Sequence, residues 1–223
     1  MRVLIACEFS GVVRDAFRAR GHDAWSCDIL NGEGQTLGEW RPDLYPPKHQ
    51  LAKRRFHYKC DVRHILPGGR LWWTMALEGQ APQWGLMIAH PPCTHLSVSG
   101  ARHFDDKLDE QAGGLGFVLQ LANADIPRIC IENPVSILSS HWREPDQIIQ
   151  PWQFGHGEIK QTCLWLKNLP PLKPTNIVEG REPRIHKMPP REDRGKLRSL
   201  TYKGIAEAMA DQWGGLVGKE KVA

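Results

Sequence analysis

The sequence predicts an α/β fold with a mostly parallel sheet that helices cover on both faces. One observation is that short apolar runs alternate with segments of helical periodicity along the 223 residues. Another is that the apolar runs end in acids, a cysteine or a glycine turn, as expected where parallel strands meet a ligand-binding edge. The composition agrees, because 41% hydrophobic and 24% charged residues suffice for an ordinary core in one mid-sized domain.

The strands are predicted from runs rich in β-branched and apolar residues. In chain order the predicted strands are 2–7, 23–28, 57–61, 84–90 and 127–132. The run at 57–61 has the weakest pattern of the five.

The helices are predicted from apolar residues that recur three or four positions apart. Residues 12–20 have this spacing and stop at Gly21, a residue that commonly follows a helix end. Residues 106–124 and 203–213 also have helical character. The segments 31–56 and 168–198 lack apolar periodicity and are predicted to be long loops, which in a compact domain are usually functional.

Composition excludes several classes of protein. Mean hydropathy is −0.44, and no apolar run reaches the length of a membrane span. The apolar N-terminus is followed at once by Glu8 without a cleavage-type site, which favours a buried strand over a signal peptide. The six cysteines are scattered without a CxxC pair, which is typical of reduced thiols and predicts neither disulfides nor a zinc site. We therefore expect a soluble cytoplasmic protein.

Positive charge is concentrated in two segments. The net charge is only +4, yet residues 48–63 carry a net +5 and residues 180–198 a net +4, on a remainder of −5. Two basic patches on an acidic body favour a polyanionic partner such as nucleic acid. A pair of solvated basic loops is the alternative.

The first three strand ends indicate a cofactor site. The first strand runs into a turn at Gly11, where a glycine lets the backbone approach a ligand and a helix begins. The second ends at Asp28, in position to accept hydrogen bonds from ribose hydroxyls, and the third ends at Asp61. Acids at successive strand ends favour a nucleoside-containing cofactor over a pyrophosphate, although helix caps and turn acids are the alternative.

The next two strand ends carry a thiol and a carboxylate. The fourth strand ends in His90-Pro91-Pro92-Cys93, where the two prolines make the turn extended and rigid. A cysteine presented at this edge is placed like a nucleophile, and Glu132 at the end of the fifth strand can assist as an acid. His90, Cys93 and His95 predict no metal site, because three ligands around a rigid diproline have poor coordination geometry.

These motifs resemble those of the cytosine-5 DNA methyltransferases. Pro91-Pro92-Cys93 followed by Ser97 is similar to the segment that carries the family's catalytic cysteine. Glu132-Asn133 resembles its Glu-Asn-Val, Phe9-Ser10-Gly11 its Phe-x-Gly turn, and Arg198-Ser199-Leu200-Thr201 its Arg-x-Leu-Thr. The motifs cover most of the chain in the family's order, and the chain is most similar to short, phage-type members.

The resemblance implies a Rossmann-like methyltransferase fold with S-adenosylmethionine as cofactor and DNA as partner. It further implies a monomeric enzyme, in the host cytoplasm if the gene belongs to a phage. The implied catalytic residues are Cys93 and Glu132. The implied cofactor-binding residues are Glu8, Phe9, Gly11, Asp28, Ile29, Asp61 and Pro91. The implied substrate-binding residues are Ser97, Asn133, Lys160, Thr162, Arg191 and Arg194.

The sequence departs from the family's pattern mainly in the recognition region. The usual Gln-x-Arg-x-Arg is absent, and Lys160-Gln161-Thr162 is the nearest basic element. Only about 37 residues separate it from Arg198, too few for a large target-recognition domain. We therefore expect a single domain over 1–223 with a short basic recognition segment at 168–198, and little sequence specificity. Gly11 is also followed by valines, and Glu132-Asn133 by Pro134.

The resemblance also implies a mechanism. Carbon 5 of cytosine is too weak a nucleophile until a thiolate adds at carbon 6, which would be the role of Cys93. Glu132 would act at ring nitrogen 3, so it must carry a proton transiently, through a raised pKa or the substrate's help. A free thiol is mostly protonated at neutral pH, so the site must activate Cys93. A cytosine in a duplex would have to be flipped out of the stack.

Other functions compete with this one. The same fold could act on RNA or on a free cytosine nucleotide, or the chain could bind nucleic acid without catalysis. The Cys93–Glu132 pair argues against the last, because binding alone requires neither residue. A zinc deaminase is suggested by His156-Gly157-Glu158, but this element follows Pro92-Cys93 where the deaminase signature has it first.

Overall fold

Seven strands form one mixed sheet in a computed structural model that describes residues 1–32, 56–98, 107–190 and 192–218. The strands are β1 Arg2–Ala6, β2 Asp23–Asp28, β3 His57–Lys59, β4 Leu86–Ala89, β5 Ile129–Asn133, β6 Gln147–Ile149 and β7 Thr162–Lys167. Their order is β3-β2-β1-β4-β5-β7-β6. Strands β1 to β5 pair in parallel, and β7 is antiparallel to both β5 and β6. The predicted Rossmann-like α/β fold is confirmed.

Helices cover both faces of this sheet. They are α1 Val12–Ala19, α2 Arg70–Leu77, α3 Leu108–Ala122, α4 Leu138–His141, α5 Arg184–Lys187, α6 Arg194–Ser199 and α7 Lys203–Gly214. Helices α1 and α7 contact each other on one face, and α3 packs on the other. In the part of the chain described, none of the helices combines the length and the apolar character that crossing a bilayer requires.

The core lies in two layers because successive strand side chains point to opposite faces. On β1, Val3 and Ile5 face the layer that contains Phe17 of α1 and Trp213 of α7. Leu4 faces the other layer, with α3. All five side chains are fully buried. Burying each side chain of this size contributes about 1.5–3 kcal/mol to the stability of the fold, so these contacts stabilise the packing of both helix layers on the sheet.

The antiparallel direction of β7 decides which residues reach the ligand-binding edge. Cys163 pairs with Asn133 at the end of β5, whereas Lys167 pairs with Ile129 at its beginning. The residues just before β7, including Lys160, therefore lie at the edge where β1 to β5 end. Lys167 lies at the opposite edge.

The predicted elements are largely confirmed. All five predicted strands and all three predicted helices exist, but β6, β7, α2 and α4 were not predicted. The prediction of a continuous loop at 168–198 is wrong, because the segment contains α5 and all of α6 except its last residue. These short helices have no apolar periodicity; α5 is positioned by contacts such as the 2.6 Å ion pair between Arg184 and the buried Glu158. Most of the loop predicted at 31–56 lies outside the described residues.

Candidate active site

The N-terminus of α1 is capped by the carboxylate of Glu8. Its Oε1 accepts a 2.7 Å hydrogen bond from the backbone N–H of Val13, and its Oε2 accepts one of 3.3 Å from that of Arg14. Glu8 is only 4% exposed. Burial raises the pKa of Glu8, although His90 and the two N–H groups oppose the rise. The backbone donors that would bind a phosphate at a helix N-terminus are therefore already used by the chain itself.

The turn between β1 and α1 requires glycine for two reasons. Gly11 has φ +74°, in the left-handed region that other residues adopt only at a cost. A Cβ at this position would also collide with the guanidinium of Arg14. The same turn buries Phe9, and the ammonium of Lys196 on α6 lies 5.1 Å from the centroid of its ring. Helix α6 thus approaches the predicted cofactor turn.

The end of β2 presents an acid beside an exposed apolar side chain. The Oδ1 of Asp28 accepts a 2.8 Å hydrogen bond from the backbone N–H of Leu30. Burial raises the pKa of Asp28, and the backbone N–H groups of Leu30 and Ile29 oppose the rise. Ile29 is 71% exposed, which is unusual for an isoleucine. A carboxylate next to an open apolar surface suits the ribose and the base of a nucleoside.

A buried chain of hydrogen bonds supports this loop. Arg14 donates to the Oγ of Ser26 over 3.0 Å, and that Oγ lies 2.8 Å from Nδ1 of His57. The Nε2 of His57 lies 3.1 Å from the carbonyl oxygen of Leu30. Because a carbonyl only accepts, Nε2 carries the proton and Nδ1 accepts from Ser26. Burial lowers the pKa of His57 to about 4, so the ring is neutral at neutral pH.

Sequence reasoning missed this network. Arg14, Ser26 and His57 are single polar residues within predicted helix and strands, and their spacing gives no sign that they meet. Pairing of β2 with β3 places Ser26 beside His57.

Asp61 lies just after β3, as predicted, and caps the short 3₁₀ helix Val62–His64. Its Oδ1 accepts a 2.9 Å hydrogen bond from the backbone N–H of Arg63, and its Oδ2 lies 2.5 Å from the guanidinium of Arg63. The hydrogen bonds from Arg63 lower the pKa of Asp61. The residue therefore has the capping role that was the alternative interpretation, and contact with a cofactor stays a prediction.

Cys93 lies in the tight turn that follows β4, and its side chain is partly exposed. The backbone N–H groups of Leu96 and Ser97 both donate to its carbonyl oxygen, over 3.1 and 2.9 Å. Burial and the charge of Glu132 raise the pKa of the Cys93 thiol, whereas Lys160 and Arg198 lower it. The balance leaves the thiol protonated at neutral pH.

Glu132 forms a buried ion pair with His90. Nδ1 of His90 lies 2.7 Å from Oε2 of Glu132, and the two side chains are 9% and 15% exposed. Burial alone would lower the pKa of His90, but the hydrogen bond and the charges of Glu132 and Glu8 raise it above its usual value. Burial alone would raise the pKa of Glu132, but His90 and Lys160 hold it below its usual value. The pair therefore favours the protonated form of His90 and the ionised form of Glu132.

Glu132 was expected to carry a proton transiently, through a raised pKa or with the substrate's help. Because His90 and Lys160 lower the pKa of Glu132, the raised pKa is not found and the substrate's help stays a prediction. The sequence analysis considered His90 only as a metal ligand. The pairing was not predictable from spacing, because the two residues lie 42 positions apart and meet only through the alignment of β4 and β5.

Asn133 joins the two motifs of the predicted catalytic edge. It is 1% exposed, and its side-chain amide donates a 2.9 Å hydrogen bond to the carbonyl oxygen of Pro91. This bond ties the end of β5 to the turn that presents Cys93. The geometry gives Asn133 a positioning contact, and the predicted contact with substrate stays a prediction.

Three more of the predicted substrate-binding residues lie near β7 and α6. Lys160 donates a 2.9 Å hydrogen bond from Nζ to the carbonyl oxygen of Arg198. Thr162 is 4% exposed, and its hydroxyl donates to the carbonyl oxygen of Lys160 over 3.3 Å, so its side chain contacts the backbone of Lys160. Arg194 begins α6 and is partly buried. Arg191 lies outside the described residues.

The edge therefore brings together a thiol, a carboxylate–imidazole pair and an ammonium group, beside a loop suited to a nucleoside. Within residues 1–32, 56–98, 107–190 and 192–218, no three side chains of His, Cys, Asp or Glu are grouped so that they could bind a metal ion. The arrangement can support nucleophilic addition to an electron-poor ring with proton transfer beside it.

Comparison with known proteins gives a distant structural match. No protein-family model and no curated protein sequence matches the chain. A similar solved structure is that of a protein from an E. coli prophage, assigned as a DNA modification methyltransferase. The identity is 14%, the TM-score is 0.40, and the match covers 74% of this chain and 46% of that chain. The chain thus spans less than half of that protein, and its function has to be inferred from its own residues.

Proposed function

We propose that this protein transfers a methyl group from S-adenosylmethionine to carbon 5 of cytosine in DNA through a covalent adduct with Cys93. The observation that carries the proposal is the placement of Cys93 and Glu132 at the ends of the paired parallel strands β4 and β5. Lys160 contributes a positive charge to both of them from the start of β7. A nucleophile, an acid–base group and a cation are the parts that this reaction needs.

The residues at the ends of β1 and β2 fit S-adenosylmethionine. Because Glu8 already uses the N–H groups at the start of α1, the site suits a cofactor without a phosphate at that position. Asp28 can accept hydrogen bonds from the ribose hydroxyls, and the exposed Ile29 can cover one face of the adenine. The Phe9–Gly11 turn would lie against the remainder of the molecule. When bound, S-adenosylmethionine would supply the electrophilic methyl group.

Cys93 begins the reaction on the base. Its thiol first loses its proton to solvent; the sulfur then forms a bond to carbon 6, and the electrons of the carbon 5–carbon 6 double bond move through carbon 4 onto nitrogen 3. Glu132 lies beside the base at this nitrogen, which takes up a proton. Lys160 favours the thiolate form of Cys93, and this partly offsets the burial that disfavours it.

The second half of the reaction regenerates Cys93. Carbon 5, now electron-rich, would take the methyl group as the bond between that group and the sulfonium sulfur breaks, leaving S-adenosylhomocysteine, and the proton on carbon 5 would then pass to water. The electrons of that carbon–hydrogen bond restore the carbon 5–carbon 6 double bond as the bond to sulfur breaks. Nitrogen 3 returns its proton to the Glu132 side, so Cys93 leaves as the thiolate from which it started.

DNA is the proposed substrate because basic residues adjoin this edge. Helix α6 carries Arg194, Lys196 and Arg198, and it contacts both Lys160 and the Phe9 ring. Such residues suit contacts with phosphates, which position a protein without reading sequence. The target cytosine would have to leave the duplex stack to reach Cys93.

The experiment that tests this proposal is incubation with methyl-labelled S-adenosylmethionine and, separately, duplex DNA, RNA or dCTP. Mass spectrometry of the digested nucleosides identifies the product. We expect labelled 5-methyl-2′-deoxycytidine from DNA and none from Cys93→Ala under the same conditions. Label confined to RNA or dCTP would move the substrate to the alternative class, and absence of label from all three would contradict methyl transfer to cytosine.

A further inference from the structure

His90 forms a hydrogen bond with Glu132, and the methyl transfer proposed above gives it no role. It follows directly after β4, and its backbone N–H donates a 2.9 Å hydrogen bond to the carbonyl oxygen of Ala6 on β1. The imidazole is thereby fixed between β1 and β5, and Nδ1 points at Oε2 of Glu132 over 2.7 Å. A bond this short between two side chains about nine-tenths buried fixes the orientation of the carboxylate.

The other side of the imidazole has no hydrogen-bond partner among the residues described. Nε2 of His90 is fully enclosed, and no acceptor lies within reach of it. A histidine with a purely structural role would ordinarily have both nitrogens satisfied. When the ring is protonated, Nε2–H has no acceptor, so the charge is favoured only by Glu132 and Glu8, and the ring can release the Nδ1 proton once the charge of Glu132 is neutralised.

The charges that face this pair come from each neighbouring element. Glu8, after β1, and Glu132, on β5, favour the protonated imidazole, whereas Lys160, before β7, disfavours it. Cys93, in the turn that follows His90, is influenced by Glu132 and Lys160 in turn. The protonation of His90 therefore depends on Glu8, Glu132 and Lys160, and that of Glu132 on His90 and Lys160.

We propose that His90 supplies, through Glu132, the proton that nitrogen 3 of the cytosine takes up when Cys93 adds to carbon 6. This inference rests on the proposed function. It makes His90 a positioning residue that acts through Glu132, since the imidazole itself does not touch the base. It also explains how Glu132 can deliver a proton although its pKa is lowered, because His90, its hydrogen-bond partner, supplies that proton.

The proton balance closes without a further reagent. As sulfur bonds to carbon 6, the electron pair arriving on nitrogen 3 takes a proton from the carboxyl group of Glu132, and Glu132 takes the Nδ1 proton of His90. His90 becomes the neutral imidazole that its burial favours. When the bond between sulfur and carbon 6 breaks, nitrogen 3 returns the proton to Glu132, and His90 is recharged.

The test is the pH dependence of adduct formation, with His90→Asn as the decisive variant. Asparagine places an amide donor where Nδ1 lies, so it can orient Glu132 but cannot supply a proton. His90→Ala removes both functions. The measurement is the rate at which each protein forms a covalent adduct with duplex DNA that contains 5-fluorocytosine, in the presence of S-adenosylmethionine. Calorimetry of S-adenosylmethionine binding shows whether each variant is folded.

We expect the wild type to have a bell-shaped profile, with one limb from Cys93 and the other from the His90–Glu132 pair. His90→Asn should bind the cofactor normally, form the adduct about 100-fold or more slowly, and keep only the rising limb. If His90 only orients Glu132, His90→Asn will restore the rate and keep both limbs, which would overturn the proposal. If the wild type itself forms no adduct, the proposed function fails, and this inference fails with it.

A measurement on the wild type makes the proposal testable even if neither variant folds. With ¹⁵N-labelled histidine, both ring nitrogens of His90 should show the chemical shifts of protonated nitrogen at neutral pH. The signal can be assigned by its loss of the Glu132 interaction in Glu132→Gln. A neutral His90 ring at neutral pH would contradict the proposal while leaving the methyl-transfer reaction itself unaffected.

Discussion

The buried carboxylate of Glu8 accepts a 2.7 Å hydrogen bond from the backbone N–H of Val13, so the start of α1 is capped by an anion that belongs to the chain. In proteins that bind dinucleotides, this is where the pyrophosphate lies. The sheet here has the same strand order at β3-β2-β1-β4-β5, yet its phosphate position is taken. The proposed S-adenosylmethionine site therefore relies on the Phe9–Gly11 turn and on the end of β2.

Replacing Asp28 with alanine should weaken S-adenosylmethionine binding by about 1.5–3 kcal/mol, the range for a lost hydrogen bond to a charged group. Calorimetry measures this directly. Asp109→Ala, on the exposed start of α3, is the matched control and should bind as the wild type does. Unchanged affinity in Asp28→Ala would refute the assignment of Asp28 to the ribose.

His57 should make the fold sensitive to mild acid. Its pKa is lowered from 6.5 to about 4, so the neutral ring stabilises the folded state above pH 6.5 and this stabilisation is lost as the pH falls. Between pH 7 and pH 5 the loss should be about 2 kcal/mol in the free energy of unfolding. Urea unfolding of the wild type and of His57→Gln, which keeps a neutral donor toward Leu30, measures it. Equal losses in the two proteins would show that His57 does not titrate in this way.

Removing the charge of Lys160 should shift the reaction to higher pH. Lys160 lowers the pKa of both Cys93 and Glu132, so Lys160→Ala should raise both and slow adduct formation at neutral pH by about tenfold for each pKa unit gained by Cys93. Lys160→Arg should retain most of the rate. Lys167→Ala, at the opposite end of β7, is the control. A pH–rate profile of Lys160→Ala that matches the wild type would contradict an electrostatic role.

DNA binding should depend strongly on salt and little on sequence. Replacing Arg191, Arg194 and Lys196 with glutamine should reduce the slope of log affinity against log salt by about 3, because each phosphate contact contributes about 0.9. Lys167→Gln, at the opposite edge of the sheet, should leave the slope unchanged. Bisulfite sequencing of a treated plasmid tests specificity. Methylation confined to a single site of six or more fixed bases would show that the segment reads sequence.

Much of the fold and of the candidate site could be predicted from the sequence. Each parallel strand is a buried apolar run that ends abruptly in a polar or special residue. Because all such ends meet at one edge, the sequence alone predicts that Asp28, Cys93 and Glu132 lie along the same edge of the sheet. Strand β7 was not predicted. An apolar run such as Cys163-Leu164-Trp165 also does not reveal the direction of its strand, and the antiparallel direction is what brings Lys160 to the site.

The interactions that set protonation could not be predicted in the same way. His90 and Glu132 lie far apart in sequence, and so do Ser26 and His57. Each pair forms only when two strands align in one register, and a shift of a single residue would turn the side chains to opposite faces. The pKa of Glu132 depends on that register, so the place of Glu132 in the fold could be predicted while the lowering of its pKa by His90 could not.

The central claim is that Cys93 bonds to carbon 6 of cytosine, and covalent trapping tests it most directly. The protein is incubated with S-adenosylmethionine and duplex DNA in which 5-fluorocytosine replaces cytosine; fluorine cannot leave as a proton, so the adduct cannot resolve. Mass spectrometry of the digested complex should show one methylated fluorocytosine attached to the peptide that contains Cys93, and none in Cys93→Ala. Methylation of ordinary DNA by Cys93→Ala at the wild-type rate, or an adduct on a different cysteine, would contradict the account.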